Sequence, residues 1–291
     1  NTINMPEAKV IAEYLMLQKR IAQVSSWLDA LDSSFDNRVH GSVLTLRTIT
    51  GRMAHAKPNM AQVPAGYSPY GKECRTCWTV PKGKVLVGID ASGIELRMLA
   101  HYMRDPDYTQ EILNGDIHTL NQTNAGLETR DQAKTFIYAF LYGAGSKKIG
   151  SIVGSGSKKG KELIDNFLEQ TPSLALLRNR VTQEAGRSWL RGLDNRKIWV
   201  RSPHSALNTK LQGAAAVVMK KALVLFANGL DKNVKIVANV HDEWQVECDA
   251  SEGNLVGKLG VDAIIDAGKY YKLNCPLDGE YKLGNNWSET H

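Results

Sequence analysis

The chain has 291 residues, enough for one large domain or two closely joined ones, and 43% of them are hydrophobic, so a substantial core can form. Lys and Arg total 36 against 30 Asp and Glu, a net charge of +6. That balance excludes a strongly acidic disordered chain and permits a polyanionic partner without requiring one. The four cysteines include one C-x-x-C pair, Cys74 and Cys77, but no second pair or nearby histidine to complete a zinc tetrad, so reduced thiols are expected.

Residues Met5 to Leu31 read as a helix, with Tyr14, Leu15, Leu17, Ile21, Val24 and Leu28 at roughly helical spacing. A polar, turn-rich stretch follows, and Val43 to Ile49 alternates like a short strand. TGRMAHAKPNMAQVP, Thr50 to Pro64, reads as a loop carrying Arg52, His55, Lys57, Asn59 and Gln62. Arginine, asparagine and glutamine are side chains that contact phosphates and groove edges, although an ordinary polar loop has the same composition.

VLVGI, Val85 to Ile89, is a buried strand that stops at Asp90, which places a carboxylate at a sheet rim. Asp90 reads equally as the N-cap of the following helix, Ile94 to Met103. Asp105 to Thr129 is expected to be polar and irregular, with GDIHT at Gly115 to Thr119.

The next stretch, TRDQAKTFIYAFLYGAG from Thr129 to Gly145, has the clearest helical signature. Thr129 and Gln132 form a capping-box pair, and Gly143 and Gly145 close it. Arg130, Lys134, Tyr138 and Tyr142 are four apart and share one side. Two cations suit a polyphosphate, and two phenol rings suit a base or sugar, although a surface helix with solvated charges and core tyrosines has the same spacing. GSGSKKGK, Gly154 to Lys161, fails the phosphate-loop pattern because Glu162 follows Lys161. It reads as a loop opening a helix from Lys161 to Gln170. A further helix runs from Ser173 to about Gly186, and Trp189 to Val200 is mixed and basic.

Ser205 to Gly229 reads as a long helix with Asn208 and Gln212 on one face. Its apolar part, Ala214 to Ala227, is interrupted by Lys220 and Lys221, which argues against a membrane span. KIVANVHDEWQVEC, Lys235 to Cys248, reads as two strands around His241, Asp242 and Glu243. Regular alternation would put Ile236, Ala238, Val240 and Asp242 on one face. A helix from Asn254 to Ala267 and a strand near Gly279 to Leu283 complete the chain.

DASGIELR at Asp90 to Arg97, R-x-x-x-K-x-x-x-Y-x-x-x-Y-G at Arg130 to Gly143, and VHDE at Val240 to Glu243 occur in that order. Together with TGR and ALNTKLQ they resemble the polymerase motifs of the family A DNA polymerases, the group of bacterial DNA polymerase I. The wording of GIDASGIELR, AKTFIYAFLYGAG and RSPHSALNT is most similar to the replicative polymerases of short-tailed bacteriophages. The resemblance implies an α+β right-hand fold: an antiparallel palm sheet and a mostly helical fingers subdomain. Residues 35–101 and 205–291 would form the palm, 102–204 the fingers and 1–34 a thumb remnant. The sequence begins without a methionine and reads as a fragment; most of the thumb and the exonuclease domain of the family are not in it. GLDNRK, Gly192 to Lys197, also follows a shorter connection than the phage branch implies.

The implied activity is template-directed DNA synthesis by nucleotidyl transfer with two Mg2+ ions, using primer-template DNA and deoxynucleoside triphosphates. Asp90, Asp242 and the carbonyl of Ala91 would hold the metal, with Glu243 either a ligand or a stabiliser of the site. Arg130, Lys134 and His118 would hold phosphates, and Lys134 would protonate the leaving pyrophosphate. Tyr138 would lie against the incoming nucleotide and Glu95 would exclude a 2′-hydroxyl. Arg52, Gln62, Tyr142, Asn208, Gln212 and His241 would contact DNA. A processivity factor or other replisome protein is an implied partner, a membrane is not, and the implied location is the cytoplasm, that of the host if the source is viral. A single-subunit RNA polymerase and an inactive DNA-binding fragment share parts of this pattern.

Overall fold

The structure, a computed structural model, describes residues 5–291; the first four residues of the expected thumb remnant lie outside them. Helix α1 (Pro6–Asp32) opens with proline at its first position, where the missing N–H costs nothing. Much of its apolar surface, including Val10, Ile11, Tyr14 and Leu15, is exposed. It is tied down near its C-terminal half. Trp27 meets Trp78 edge-on at 5.1 Å, and Gln23 Nε2 donates to the Gln62 carbonyl at 2.8 Å.

Strands β1 (Ser42–Leu44) and β2 (Ala54–Ala56) form a small antiparallel ribbon, shorter than the expected strand because the chain turns at Thr45 and Leu46. A short 3-10 turn, Met60–Gln62, and helix α2 (Gly71–Thr76) lead to the central strand β3 (Lys84–Ala91). Helix α3 (Ile94–Met103) follows with Gly93 at its N-cap, so Asp90 does not cap it and is left to the strand's end.

The stretch expected to be irregular folds as α4 (Pro106–Asn114) and α5 (Ile117–Ala125). Each has an aspartate N-cap: Asp105 accepts from Tyr108 N, and Asp116 accepts from the N–H groups of His118 and Thr119. Both helices are only nine residues long and are separated by Gly115 and Asp116, which made this segment look like loop; the aspartate caps start each of them. Helix α6 (Arg130–Leu141) carries the complete capping box of Thr129 and Gln132. Gly143, at φ 76°, takes the left-handed conformation that ends it.

Helices α7 (Ser146–Ile152) and α8 (Ser157–Gln170) pack backbone to backbone. A Cβ on Gly160 would lie 1.9 Å from the Ser146 carbonyl oxygen, so only glycine fits there. The GSGSKKGK segment is thus the first turn of α8 and the turn before it. Helix α9 (Pro172–Ala185) and the hairpin of β4 (Trp189–Arg191) and β5 (Lys197–Trp199) precede α10 (Ala206–Asn228). The helical stretch Pro203–Asn228 is long and apolar enough to cross a bilayer, but α10 packs against α3, α9 and α11 (Gly253–Tyr270) and is a core helix.

The main sheet is antiparallel, in the order β6 (Lys235–Val240), β7 (Glu243–Asp249), β3, β8 (Gly279–Gly284). Its two faces differ. Val87, Ile89 and Ala91 of β3 and Trp244, Val246 and Cys248 of β7 join the large core beneath α10 and α11. The intervening residues face the other way. Leu86 packs with Trp27 and Trp287 in a smaller core, and a Cβ on Gly88 would lie 2.2 Å from the Thr290 carbonyl oxygen. The C-terminal segment therefore crosses this second face, which also holds the acidic residues. The β6–β7 pairing contains a bulge between Ile236 and Ala238, so the regular alternation expected along β6 is broken there.

Candidate active site

Asp90 lies one residue from the end of β3, directly opposite Glu243 on β7 and Glu280 on β8. Alternation places its side chain on the face shared by Leu86 and Gly88. Asp242 arrives from the next hairpin. Val240 pairs with Glu243, which leaves His241 and Asp242 as a two-residue turn, and His241 takes the positive φ of 60° that such turns demand. The Asp242 carbonyl accepts the N–H of Ala91 at 3.1 Å, locking the turn against the end of β3. Two aspartates far apart in sequence thus meet at one sheet rim.

Their electrostatics report the meeting. Burial, then the negative charges of Asp242 and Glu243, push the Asp90 carboxyl up to about 7. Burial also raises Asp242, with the Arg52 cation pulling against it. Glu243 behaves differently. Its burial is outweighed by hydrogen bonds from His291, Trp287 and Gln245, which hold it below the usual range. Oε1 accepts from Trp287 Nε1 and, at 2.6 Å, from Gln245 Nε2; Oε2 pairs with His291 Nδ1 at 2.9 Å. Arg75 stands 3.9 Å away and packs over the Trp287 ring. Both oxygens of Glu243 are engaged, so it braces the site from behind, and of Asp90, Asp242 and Glu243 only the two aspartates are left to face the cleft. No cluster of three or more His, Cys, Asp or Glu side chains suited to a metal is found among the described residues. Two hard-oxygen carboxylates whose charges resist being confined together still fit a divalent cation such as Mg2+, which retains waters and needs only one or two of them.

Glu95, on the first turn of α3, joins two residues singled out separately in the sequence. Arg52 Nη2 lies 3.1 Å from Glu95 Oε1, and the Tyr142 hydroxyl donates to the same oxygen at 3.0 Å. Burial, then the Glu95 charge, raises the Tyr142 phenol to about 12. Tyr142 sits one residue beyond α6 but still donates its N–H to the Tyr138 carbonyl at 2.9 Å, so it continues the helix's functional stripe.

The tyrosine end of that stripe lies beside the carboxylates. The Tyr138 phenol is raised by burial and then by Glu95, Asp242 and Asp90. Its ring is 6.4 Å from that of His118, whose imidazole is lowered by burial and by the Arg130 and Lys134 charges. His118 is thereby held neutral beside the Arg130 and Lys134 cations. Lys134 is exposed and has no ion-pair partner among the described residues. Arg130 does: its guanidinium makes two hydrogen bonds, at 2.7 and 3.2 Å, to the Asp116 carboxylate that also caps α5. The Asp-x-x-Thr pattern within GDIHT signals the cap of α5 but not its pairing with Arg130.

On α10, Asn208, Gln212, Ala216 and Lys220 are four apart. Ala216 and Lys220 line a pocket with Arg52, Met53, Asn239, His241 and Asp242, so Asn208 and Gln212 extend that wall by two turns. The His241 ring lies 6.4 Å from His55, edge to face, and burial, then Arg52 and His55, lower it to about 4. Gln62 stands apart. It is exposed, its carbonyl is used by Gln23, and no hydrogen bond among the described residues links it to the aspartates.

Residues 2–289 match the family model for DNA polymerase family A. The chain is 44% identical, over 97% of its length, to DNA-directed DNA polymerases of Enterobacteria phage T3 and Escherichia phage T7, covering 46% of each. It is 30% identical over 97% of its length to DNA polymerase I of Caldicellulosiruptor bescii, covering 36% of that protein. Among solved structures, the POL domain of Pol1 from M. smegmatis superimposes with a TM-score of 0.89 at 20% identity, over 99% of this chain and 54% of that one. The fold of mixed helices and antiparallel sheet is thus that of a family A polymerase domain, and the chain spans about half the length of the phage relatives it matches. The match to the family model, over nearly every residue, establishes that this chain belongs to DNA polymerase family A.

Proposed function

We propose that this chain carries template-directed DNA synthesis, adding deoxynucleotides to a primer 3′ end with release of pyrophosphate. The observation that carries the reading is the convergence of Asp90 and Asp242 at one rim beside Tyr138 of α6, the helix that also carries Lys134. The names of the T3 and T7 relatives support it, as does the M. smegmatis domain, whose structure is a complex with a DNA primer-template and dNTP. In this reading residues 35–101 and 205–291 are palm, 102–204 fingers, and 1–34 the remnant of a thumb.

Asp90 and Asp242, with the Ala91 carbonyl, would hold two Mg2+ ions, which would supply positive charge to the attacking and leaving oxygens. The remaining work falls to the chain's own groups. Lys134 and His118 take the outer phosphates, Arg130 joins them by exchanging Asp116 for phosphate, and Lys134 delivers a proton to the leaving pyrophosphate oxygen. Tyr138 packs against the incoming sugar and base. Glu95, held by Arg52 and Tyr142, closes the space at the sugar's C2′ and favours deoxynucleotides. Tyr142 stacks on the templating position until the fingers close, so that only a fitting pair completes the site. Arg52, Gln62, Asn208, Gln212 and His241 follow the minor-groove edge, whose acceptors recur in all correct pairs. The location is the cytoplasm, that of the host if the source is viral, and a processivity factor or other replisome protein completes the assembly.

Primer extension on a short template with Mg2+ tests this. Deoxynucleotide addition that copies the template is expected. Equal use of ribonucleotides would favour an RNA polymerase, and binding without extension an inactive fragment.

A further inference from the structure

We propose that the exposed face of the β4–β5 hairpin binds single-stranded DNA, guiding the template strand before it reaches Tyr142. The register pairs Trp189 with Trp199, Leu190 with Ile198, and Arg191 with Lys197. Leu190 and Ile198 are buried and anchor the hairpin from below. Alternation then turns Trp189, Arg191, Lys197 and Trp199 together to the opposite face. Trp199 is 61% exposed, and Arg191 and Lys197 are exposed. Arg187 and Arg201, two residues outside each tryptophan, are exposed as well and add positive charge at the hairpin's open end.

Nearby acids do not neutralise it. Glu184 accepts the Arg191 backbone N–H at 2.8 Å and pairs with Lys210 at 3.5 Å, while Asp194 pairs with Arg196 at 3.5 Å. Arg187, Arg191, Lys197 and Arg201 have no ion-pair partner among the described residues. Lys197 Nζ lies 4.9 Å from the Trp189 ring centroid, which occupies that ring. Trp199 is therefore the open platform. A flat aromatic surface set among cations is the combination that stacks bases and tracks a phosphate backbone without reading sequence.

The hairpin also adjoins the candidate site. At its tip Arg196 donates to the Thr50 carbonyl at 2.7 Å, two residues before Arg52. Beyond its second strand, the His204 carbonyl oxygen would lie 2.7 Å from a Cβ on Gly143, the neighbour of Tyr142. A strand lying on the hairpin would thus lead to Tyr142.

The inference rests on the polymerase reading, and one set of measurements separates the two. Affinity of the 291-residue chain is measured by fluorescence anisotropy for primer-templates with short or long 5′ template overhangs. Single-nucleotide extension is followed on the short one. The unaltered chain is expected to bind the long overhang more tightly. Trp199→Leu and Lys197→Glu are each expected to weaken long-overhang binding about five-fold or more, with short-overhang binding and extension unchanged. Trp199→Phe, which keeps a flat ring, is expected to retain most of the affinity. Variants that bind both overhangs like the parent would overturn the proposal. A charge effect with a silent Trp199→Leu would overturn it in favour of an acidic protein partner. Absence of extension from the unaltered chain would instead count against the polymerase reading.

Discussion

Asp90→Asn separates what the site costs the fold from what it does. The Asp90 carboxyl is pushed up to about 7 from an ordinary 3.8 by burial and by the neighbouring Asp242 and Glu243 charges. A raised acid binds more protons folded than unfolded, so stability is lost as pH rises from about 4 to about 7. At pH 7 the charged carboxylate then destabilises the metal-free chain by up to about 4 kcal/mol, and at pH 5 by about 2 kcal/mol. Asparagine keeps the shape and carries no charge. In EDTA, Asp90→Asn is therefore expected to be more stable than the parent, with the gap widening between pH 5 and pH 7. Urea unfolding followed by circular dichroism reads this directly. Added Mg2+ should stabilise the parent and not the variant, because a ligand bound only by the folded state adds to its stability. A variant no more stable than the parent at pH 7, or a gap that does not change with pH, would refute the reasoning.

Other substitutions test the surrounding structure. Gly160→Ala should destabilise by about 2 kcal/mol or more, since its methyl would meet the Ser146 carbonyl and Gly150 nitrogen; an unchanged melting temperature would show that α7 and α8 are not so close. Trp287→Phe removes the indole donor to the buried Glu243 carboxylate and should cost about 1–3 kcal/mol by chemical unfolding, with equal stability counting against the bracing role. Glu95→Ala frees Arg52 and Tyr142 together, at a stability cost of about 1 kcal/mol. It should raise ribonucleotide incorporation relative to deoxynucleotide; an unaltered sugar ratio in primer extension would remove the gate assignment.

What could be read from the sequence follows the range of the interactions. The helix at Arg130, its capping box, the strand ending at Asp90 and the hairpin at His241 rest on signals within a few residues, and all appear in the fold. That Asp90 and Asp242 share a rim followed from the motif resemblance, because sheet order is not a local property. Three features were hidden. Helices α4 and α5 are nine residues each, too short for a long apolar stripe to announce them, and start at Asp105 and Asp116 caps. The bracing of Glu243 requires the C-terminal segment to return across the sheet, which no spacing within VHDE announces. The Asp116 partner of Arg130 unites two helix starts 14 residues apart.

The central claim is that Asp90 and Asp242 act as one unit, and extension rates measure that most directly. Single-turnover incorporation would be compared for the parent, Asp90→Ala, Asp242→Ala and the double variant, with DNA affinity measured alongside. Groups that serve a single step lose function together, so each single variant should fall to background, the double variant no lower, and DNA binding should persist in all. Near-parental incorporation by either single variant would contradict the account.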